Sequence, residues 1–421
     1  MKNSNRGRRV PYVRPVQRVE LSESNVKARM ILIVVLLSIA VVAIVTGLMS
    51  ALRTEPGWNK ITVESNQLNC GQDFTLNYDF TDAGSAASSE FKNLTAIYSA
   101  ACEDAFLIFS PDVASDQNNN LQHLNAHPNE VVTVDPVLYR ALELASAYRN
   151  RSIYLGGVYA EYDRIFRAET DVEAASYDPA QNPEQAEYLA LAAKFANDPA
   201  MIDILLLDNN QVQLQIAEEY RSFAQLYEIE NLIDFGWMKN AFIADYLAQV
   251  LTDNGYTKGY LASNDGFTRN LDTRGNSYSV NIFDRQPDGI YVPAVMTYNG
   301  PQSLVFLRDF PMVQQDSPRY YVFSDDRIVS MLIDPKDGMS KAGVDSLLAY
   351  SKDQGCAEIL LQMIPVFISD DLNTDALLAL EENGVHSIWC DDLNICYTDM
   401  QVNLAVQPQE NFSYSKVFAA S

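Results

Sequence analysis

The sequence predicts a layered α+β domain behind a single N-terminal transmembrane helix. Three observations predict it. An uncharged run dense in Ile, Val and Leu extends from Met30 to Leu52. Beyond it, strand-like and helix-like segments interleave without a strict strand–helix–strand period, the pattern of layered α+β architecture. The 421 residues are 48% hydrophobic, enough to enclose a sizeable core.

The apolar run is long enough to span a bilayer core of about 30 Å as a helix at ~1.5 Å per residue. With 29 residues ahead of it, it reads as an uncleaved anchor rather than a signal peptide. Residues 1–29 hold eight Lys/Arg against Glu20 and Glu23. Such a basic flank stays in the cytoplasm. The expected organisation is therefore a basic cytoplasmic tail (1–29), a transmembrane helix (30–52), a stalk (53–60) and an extracytoplasmic domain (61–421). The expected location is the cell membrane, crossed once. Outside the tail there remain 22 basic and 53 acidic residues, a net charge of −31. That balance excludes nucleic acid as a partner, because a polyanion is repelled.

Within the domain, Ile61–Phe80 alternates as strands do, and residues 81–90 and 115–120 read as loops. Leu138, Leu142, Ala145 and Tyr148 recur at helical spacing after Pro136. Residues 178–184 form a further loop, and Ala186–Ala196 a helix. Val212–Ile216 reads as a strand, and Asn240–Leu251 as a helix ending near Gly255. Strand-like runs follow at 256–262, 278–283, 290–297, 304–308, 319–323 and 346–350. Cys356–Phe367 is apolar on most faces and reads as a buried helix, Thr374–Glu382 as a second one, and 385–390 and 395–398 as closing strands.

Five cysteines, Cys70, Cys102, Cys356, Cys390 and Cys396, follow the anchor without a zinc-type spacing. An oxidising compartment favours pairs, expected as Cys70–Cys102 and Cys390–Cys396, with free buried thiols as the alternative.

Three stretches give the chain a resemblance to a known family. Ile233–Asp245 (IDFGWMKNAFIAD) is followed by Asn254–Gly259. Val329–Gly338 reads VSMLIDPKDG, and Ser346–Ile364 reads SLLAYSKDQGCAEILLQMI. In order and spacing they resemble the ApbE-type FAD:protein FMN transferases, whose motifs are D-L-G-G-x-A-K-G-x-x-x-D, H-I-I-D-P-x-T-G and A-D-A-L-A-T-A. Asp234, Gly236, Lys239, Asp245, Asp334, Pro335 and Gly338 fall on the pattern. Trp237 replaces the second glycine, Asn240 the glycine after the lysine, Ser330 or Met331 the histidine, and Asp337 the threonine. Glu358 and Gln362 stand where the family has its metal-binding aspartate and threonine.

The resemblance implies mostly antiparallel sheet packed with helices, FAD and Mg²⁺ as cofactors, and FMN transfer to a Ser/Thr of an extracytoplasmic protein partner. Its substitutions leave the alternative of an inactive homologue serving as an envelope binding or scaffolding module. The catalytic residue is unassigned. The implied cofactor-binding set is Lys239 on a phosphate, Asp245, Asp265, Gly266 and Asp334. Trp237, with Tyr260 and Phe267, would stack on a ring or fill the space of the lost glycines. Glu358 and Gln362, one helical turn apart, are the implied oxygen ligands of Mg²⁺. Against these stand simpler readings: Lys239 as a surface charge, Asp245 as a cap, Asp334-Pro335 as a turn.

Overall fold

In the computed structural model, residues 57–115 and 119–419 are described. The expected tail and transmembrane helix lie outside them. Among the described residues no helix is long and apolar enough to cross a membrane.

The strands are β1 (Trp58–Ile61), β2 (Phe74–Asp79), β3 (Val131–Thr133), β4 (Ile202–Leu207), β5 (Gln211–Ile216), β6 (Gly259–Ser263), β7 (Phe267–Asn270), β8 (Ser277–Gln286), β9 (Gly289–Asn299), β10 (Gln302–Arg308), β11 (Tyr320–Val322), β12 (Ile328–Ser330), β13 (Ser346–Ser351), β14 (His386–Asp391), β15 (Asn394–Tyr397), β16 (Asn403–Val406) and β17 (Ser415–Phe418). The helices are α1 (Ala87–Phe109), α2 (Leu121–Ala126), α3 (Pro136–Ala147), α4 (Gly156–Arg167), α5 (Asp171–Tyr177), α6 (Pro183–Asn197), α7 (Glu218–Leu226), α8 (Lys239–Asp253), α9 (Cys356–Phe367) and α10 (Thr374–Glu382). β1 begins at Trp58 and pairs with β2, so Trp58, Asn59 and Lys60 belong to the sheet rather than to a stalk.

A nine-stranded sheet in the order β1-β2-β6-β7-β10-β13-β14-β15-β17 organises the molecule. Its pairings are antiparallel except β15 with β17. One face is covered by α1, α8 and α9, joining Val305, Leu347, Ala349 and Trp389 to the main core. The other face packs on the three-stranded sheet β16-β9-β8, where Leu304, Leu348 and Ile388 meet Ile282, Ala294, Met296 and Leu404. β13 is buried at all six positions. A strand covered on both faces loses the apolar–polar alternation of a half-exposed one, which is why SLLAYS shows none.

Local chemistry explains where helices start. Asp135 caps α3 with Pro136 at its first position, Asn182 caps α6 with Pro183, and Asn373 caps α10. Each side-chain oxygen satisfies an amide that the helix leaves free. In α9 ten of twelve residues are buried, and each large apolar side chain there contributes about 1.5–3 kcal/mol.

Two expectations need correction. Residues 81–90 are not a loop throughout: a 3-10 turn covers Thr81–Ala86 and α1 starts at Ala87. Cys390 and Cys396 are not a pair. Trp389 lies opposite Cys396, and Cys390 opposite Ile395. Their side chains therefore leave opposite faces of the sheet, Cys390 into one core and Cys396 into the other. All five thiols are free and buried. Cys70 and Cys102 are neighbours, and the Cys102 side chain and burial together push the Cys70 thiol far up.

Candidate functional site

The segment between α7 and α8 turns sharply. Asp234 Oδ1 accepts from the Gly236 amide at 2.8 Å, and the Asp234 amide donates to the Ile153 carbonyl at 2.8 Å. Gly236 has φ +50°, and a Cβ there would come within 2.6 Å of the Tyr159 ring. Glycine is required on both counts. The turn delivers Trp237 and Lys239 to one side of a cavity of about 560 Å³.

The opposite walls come from α4, through Tyr159, Asp163 and Arg167, and from Met331 and Ile333 after β12. Two bonds clamp these walls together. The Tyr162 hydroxyl donates to the Gly338 carbonyl at 3.0 Å and accepts from the Ser340 amide at 2.9 Å. The family's histidine stands three residues before its aspartate, which is Met331 here. Met331 lines the cavity, whereas Ser330 is buried against Ser340. Of the two alternative positions, Met331 is the one that faces the cavity.

The electrostatics of the cavity centre on Lys239. Burial raises the Asp234 carboxyl, and the Gly236 amide and Lys239 ease it. Burial likewise raises Asp163, which Arg167 and Lys239 ease. Arg167 is committed to Asp163 at 3.1 Å, and Arg164 to Glu161 at 3.3 Å. Among the described residues, no carboxylate lies within ion-pair distance of Lys239. Lys239 is thus a lining cation without an ion pair among the described residues.

Trp237, 5% exposed, and Met331 also line a remnant of about 20 Å³ on their far side. Asp265, Arg308 and Arg319 share that remnant. Asn240, replacing the family's glycine, donates to Asp265 at 2.9 Å, and Arg319 pairs with Asp265 at 3.4 Å. Asp265 Oδ1 and Arg308 Nε, both buried there, have no partner among the described residues. Trp237 and Met331 thus line both cavities and stand between them.

Of the other residues expected at the site, Asp245, Gly266, Asp334 and Tyr260 line neither cavity, and Phe267 lines the smaller one. Asp245 accepts from the Cys356 and Ala357 amides at 2.8 and 2.9 Å and pairs with Arg269, holding the start of α9. Gly266 (φ +104°) sits so close to β10 that a Cβ would lie 2.2 Å from the Phe306 carbonyl oxygen. Asp334 closes its turn through the Lys336 amide at 2.9 Å and pairs with Lys341 at 3.2 Å. Tyr260 packs against Trp58 and Tyr278. Phe267 is buried beside the remnant.

Glu358 and Gln362 make the following contacts in the structure. The Tyr148 hydroxyl donates to Glu358 Oε1 at 3.0 Å. The Gln362 amide nitrogen is turned to Gln354 and to the Glu358 carbonyl. No group of three or more His, Cys, Asp or Glu side chains among the described residues is arranged for a metal ion. The donor set does not fit Mg²⁺, which takes about six oxygens in near-octahedral array.

Sequence reasoning missed Tyr159, Tyr162, Asp163 and Arg167, because it assigned no element to residues 152–163. The available signal was Tyr159, Tyr162 and Phe166 at helical spacing.

No family model and no curated protein matches the chain. Solved structures do. The ApbE protein from Thermotoga maritima aligns over 79% of this chain and 93% of its own, at 15% identity and a TM-score of 0.54. The flavin transferase ApbE from Vibrio cholerae aligns over 84% and 97%, at 11% identity and 0.49. The apo flavinyl transferase ApbE from Pseudomonas stutzeri aligns over 76% and 87%, at 11% and 0.43. The Thermotoga likeness establishes the fold, and the mostly antiparallel α+β expectation is borne out.

Proposed function

We propose that this chain, which carries the ApbE fold, binds a flavin nucleotide in the 560 Å³ cavity and has lost the transfer step. The observation that carries the reading is the meeting of Trp237 and Lys239 with Met331 and Ile333 across one cavity. These are the segments that the family resemblance marks out. The volume is in the usual range for small-molecule sites, about 300–1,000 Å³. Tyr159, Phe166 and Trp237 offer ring surface to an isoalloxazine. The unpaired Lys239 ammonium meets a phosphate.

Transfer of FMN is attack by a hydroxyl on a pyrophosphate, and it needs a proton acceptor and neutralisation of the leaving oxygens. Met331 accepts no proton at the histidine position, and Glu358 is committed to Tyr148. The reading is therefore a membrane-tethered, extracytoplasmic flavin-binding module that works through a protein partner. The anchor at 30–52 and the inside position of the tail are part of this proposal.

Lys239→Met tests the site. FMN affinity should fall about tenfold while riboflavin, which lacks the phosphate, is unaffected. Equal loss for both, or loss for neither, would place the ligand elsewhere. Incubation with FAD, Mg²⁺ and candidate acceptors should leave no covalent FMN on any of them by mass spectrometry. A flavinylated acceptor would restore the transferase reading.

A further inference from the structure

We propose a second ligand site, for a neutral oligosaccharide, between the three-stranded sheet and the nine-stranded sheet. A cavity of about 660 Å³ opens there, and it shares no lining residue with the flavin cavity. Three of its polar groups are poised for hydroxyls. Gln302, at the start of β10, is only 4% exposed and lines the cavity. Its Oε1 finds no donor among the described residues. A buried amide oxygen without a donor costs about 1–3 kcal/mol, which favours rotation of the Gln302 side chain toward the cavity to meet a ligand hydroxyl. His386 holds its Nδ1 3.0 Å from both oxygens of Glu381, which leaves Nε2 as the uncommitted ring nitrogen. Asp399 accepts from the Tyr350 hydroxyl at 3.2 Å and lines the same space.

An aromatic row leads out of the cavity. Tyr298, in its wall, stacks on Tyr278 with centroids 5.8 Å apart. Tyr278 meets Tyr260 at 6.0 Å and Trp58 at 6.2 Å, both edge-on. Trp58 is 48% exposed. A pyranose carries slightly positive C–H groups on its faces and hydroxyls at its rim. The faces suit the negative faces of aromatic rings, and the rim suits the amide, imidazole and carboxylate. The row continues beyond the cavity, which calls for several linked sugars rather than one.

Charge selects the neutral class. Lys352 is set against Asp353 and Asp399 in the lining, so no cationic cluster awaits an anion. The chain's net charge of −25 repels polyanions.

The test is calorimetric titration of the full-length chain with maltotriose, cellotriose and tri-N-acetylchitotriose, with trigalacturonate as the anionic counterpart. At least one neutral trisaccharide should bind saturably, with a Kd of about a millimolar or below. Trp58→Ala, at an exposed position, and Gln302→Leu should each weaken it about fivefold or more. Circular dichroism verifies that the variants fold. Absence of binding by all three neutral sugars at about 10 mM, unchanged affinity in both folded variants, or preference for trigalacturonate would overturn the proposal.

Discussion

Trp237 carries more information than any other residue of the cavity proposed for flavin. A large ring stands where the related motif has a glycine, and with Met331 it lies between the cavity and a smaller neighbouring one. Trp237→Gly should join the two and give a ligand access to the unpartnered Arg308 Nε and Asp265 Oδ1. FAD affinity should then rise about tenfold, or ~1.4 kcal/mol. A fall instead would mean that the indole is itself a stacking surface for the flavin. Asp309 supports a different prediction. Burial, followed by the charge of Asp345, pushes its carboxyl up to about 7, against the pull of Arg285. An unfolded aspartate titrates near ~3.9. The contribution of Asp309 to stability is therefore complete below that value and is lost as pH rises through 7. Asp309→Asn should melt at a higher temperature than the parent at pH 8, and the difference should vanish at pH 4. An unchanged difference across that range would contradict the assignment.

At the scale of elements, the structure separates residues that build the site from residues that build the fold. Asp245 anchors the start of α9 across the α8–α9 interface. Asp245→Ala removes two amide partners and leaves Arg269 without its carboxylate. The expected cost is about 2–4 kcal/mol, read as a lower urea midpoint with flavin affinity retained in the folded fraction. Loss of flavin binding without loss of stability would return Asp245 to the ligand site. Which elements the sequence disclosed follows from their patterning. α9 and α10 coincide with the expected residues because one is apolar nearly all round and the other is capped by Asn373. α3 was visible through Pro136 and its apolar spacing. α1 was hidden because it opens on Ala-Ser-Ser, a composition that also suits a loop, and has no side-chain cap. α4 starts on two glycines and is likewise uncapped. Half of the cavity wall was therefore out of sight, while the half on the Asp234–Lys239 turn was legible through the motif. Asp245, Gly266 and Asp334 also fell on or beside motifs, and the structure gives each of them a role within the fold. Contact with a ligand depends on which side of an element faces the cavity, and a linear motif does not specify that.

For the molecule as a whole, the nine-stranded sheet separates two kinds of surface. The cavity proposed for flavin lies among helices and the β12 segment, and the aromatic row lies toward the three-stranded sheet. Oxidation should discriminate the cysteines in the same structural terms. Peptide mapping without reductant should find Cys70 joined to Cys102 in any oxidised fraction, and never Cys390 to Cys396, whose side chains leave opposite faces. A Cys390–Cys396 bridge would contradict the β14–β15 register. The central claim is that this fold retains a flavin site without the metal-dependent chemistry. It is tested most directly by titrating the full-length chain with FAD, with and without Mg²⁺, and following flavin fluorescence. The account predicts saturable binding at roughly micromolar concentration, with the same midpoint in both conditions. No saturation at about a millimolar FAD would contradict flavin binding itself, and a midpoint that tightens with Mg²⁺ would contradict the loss of the metal site.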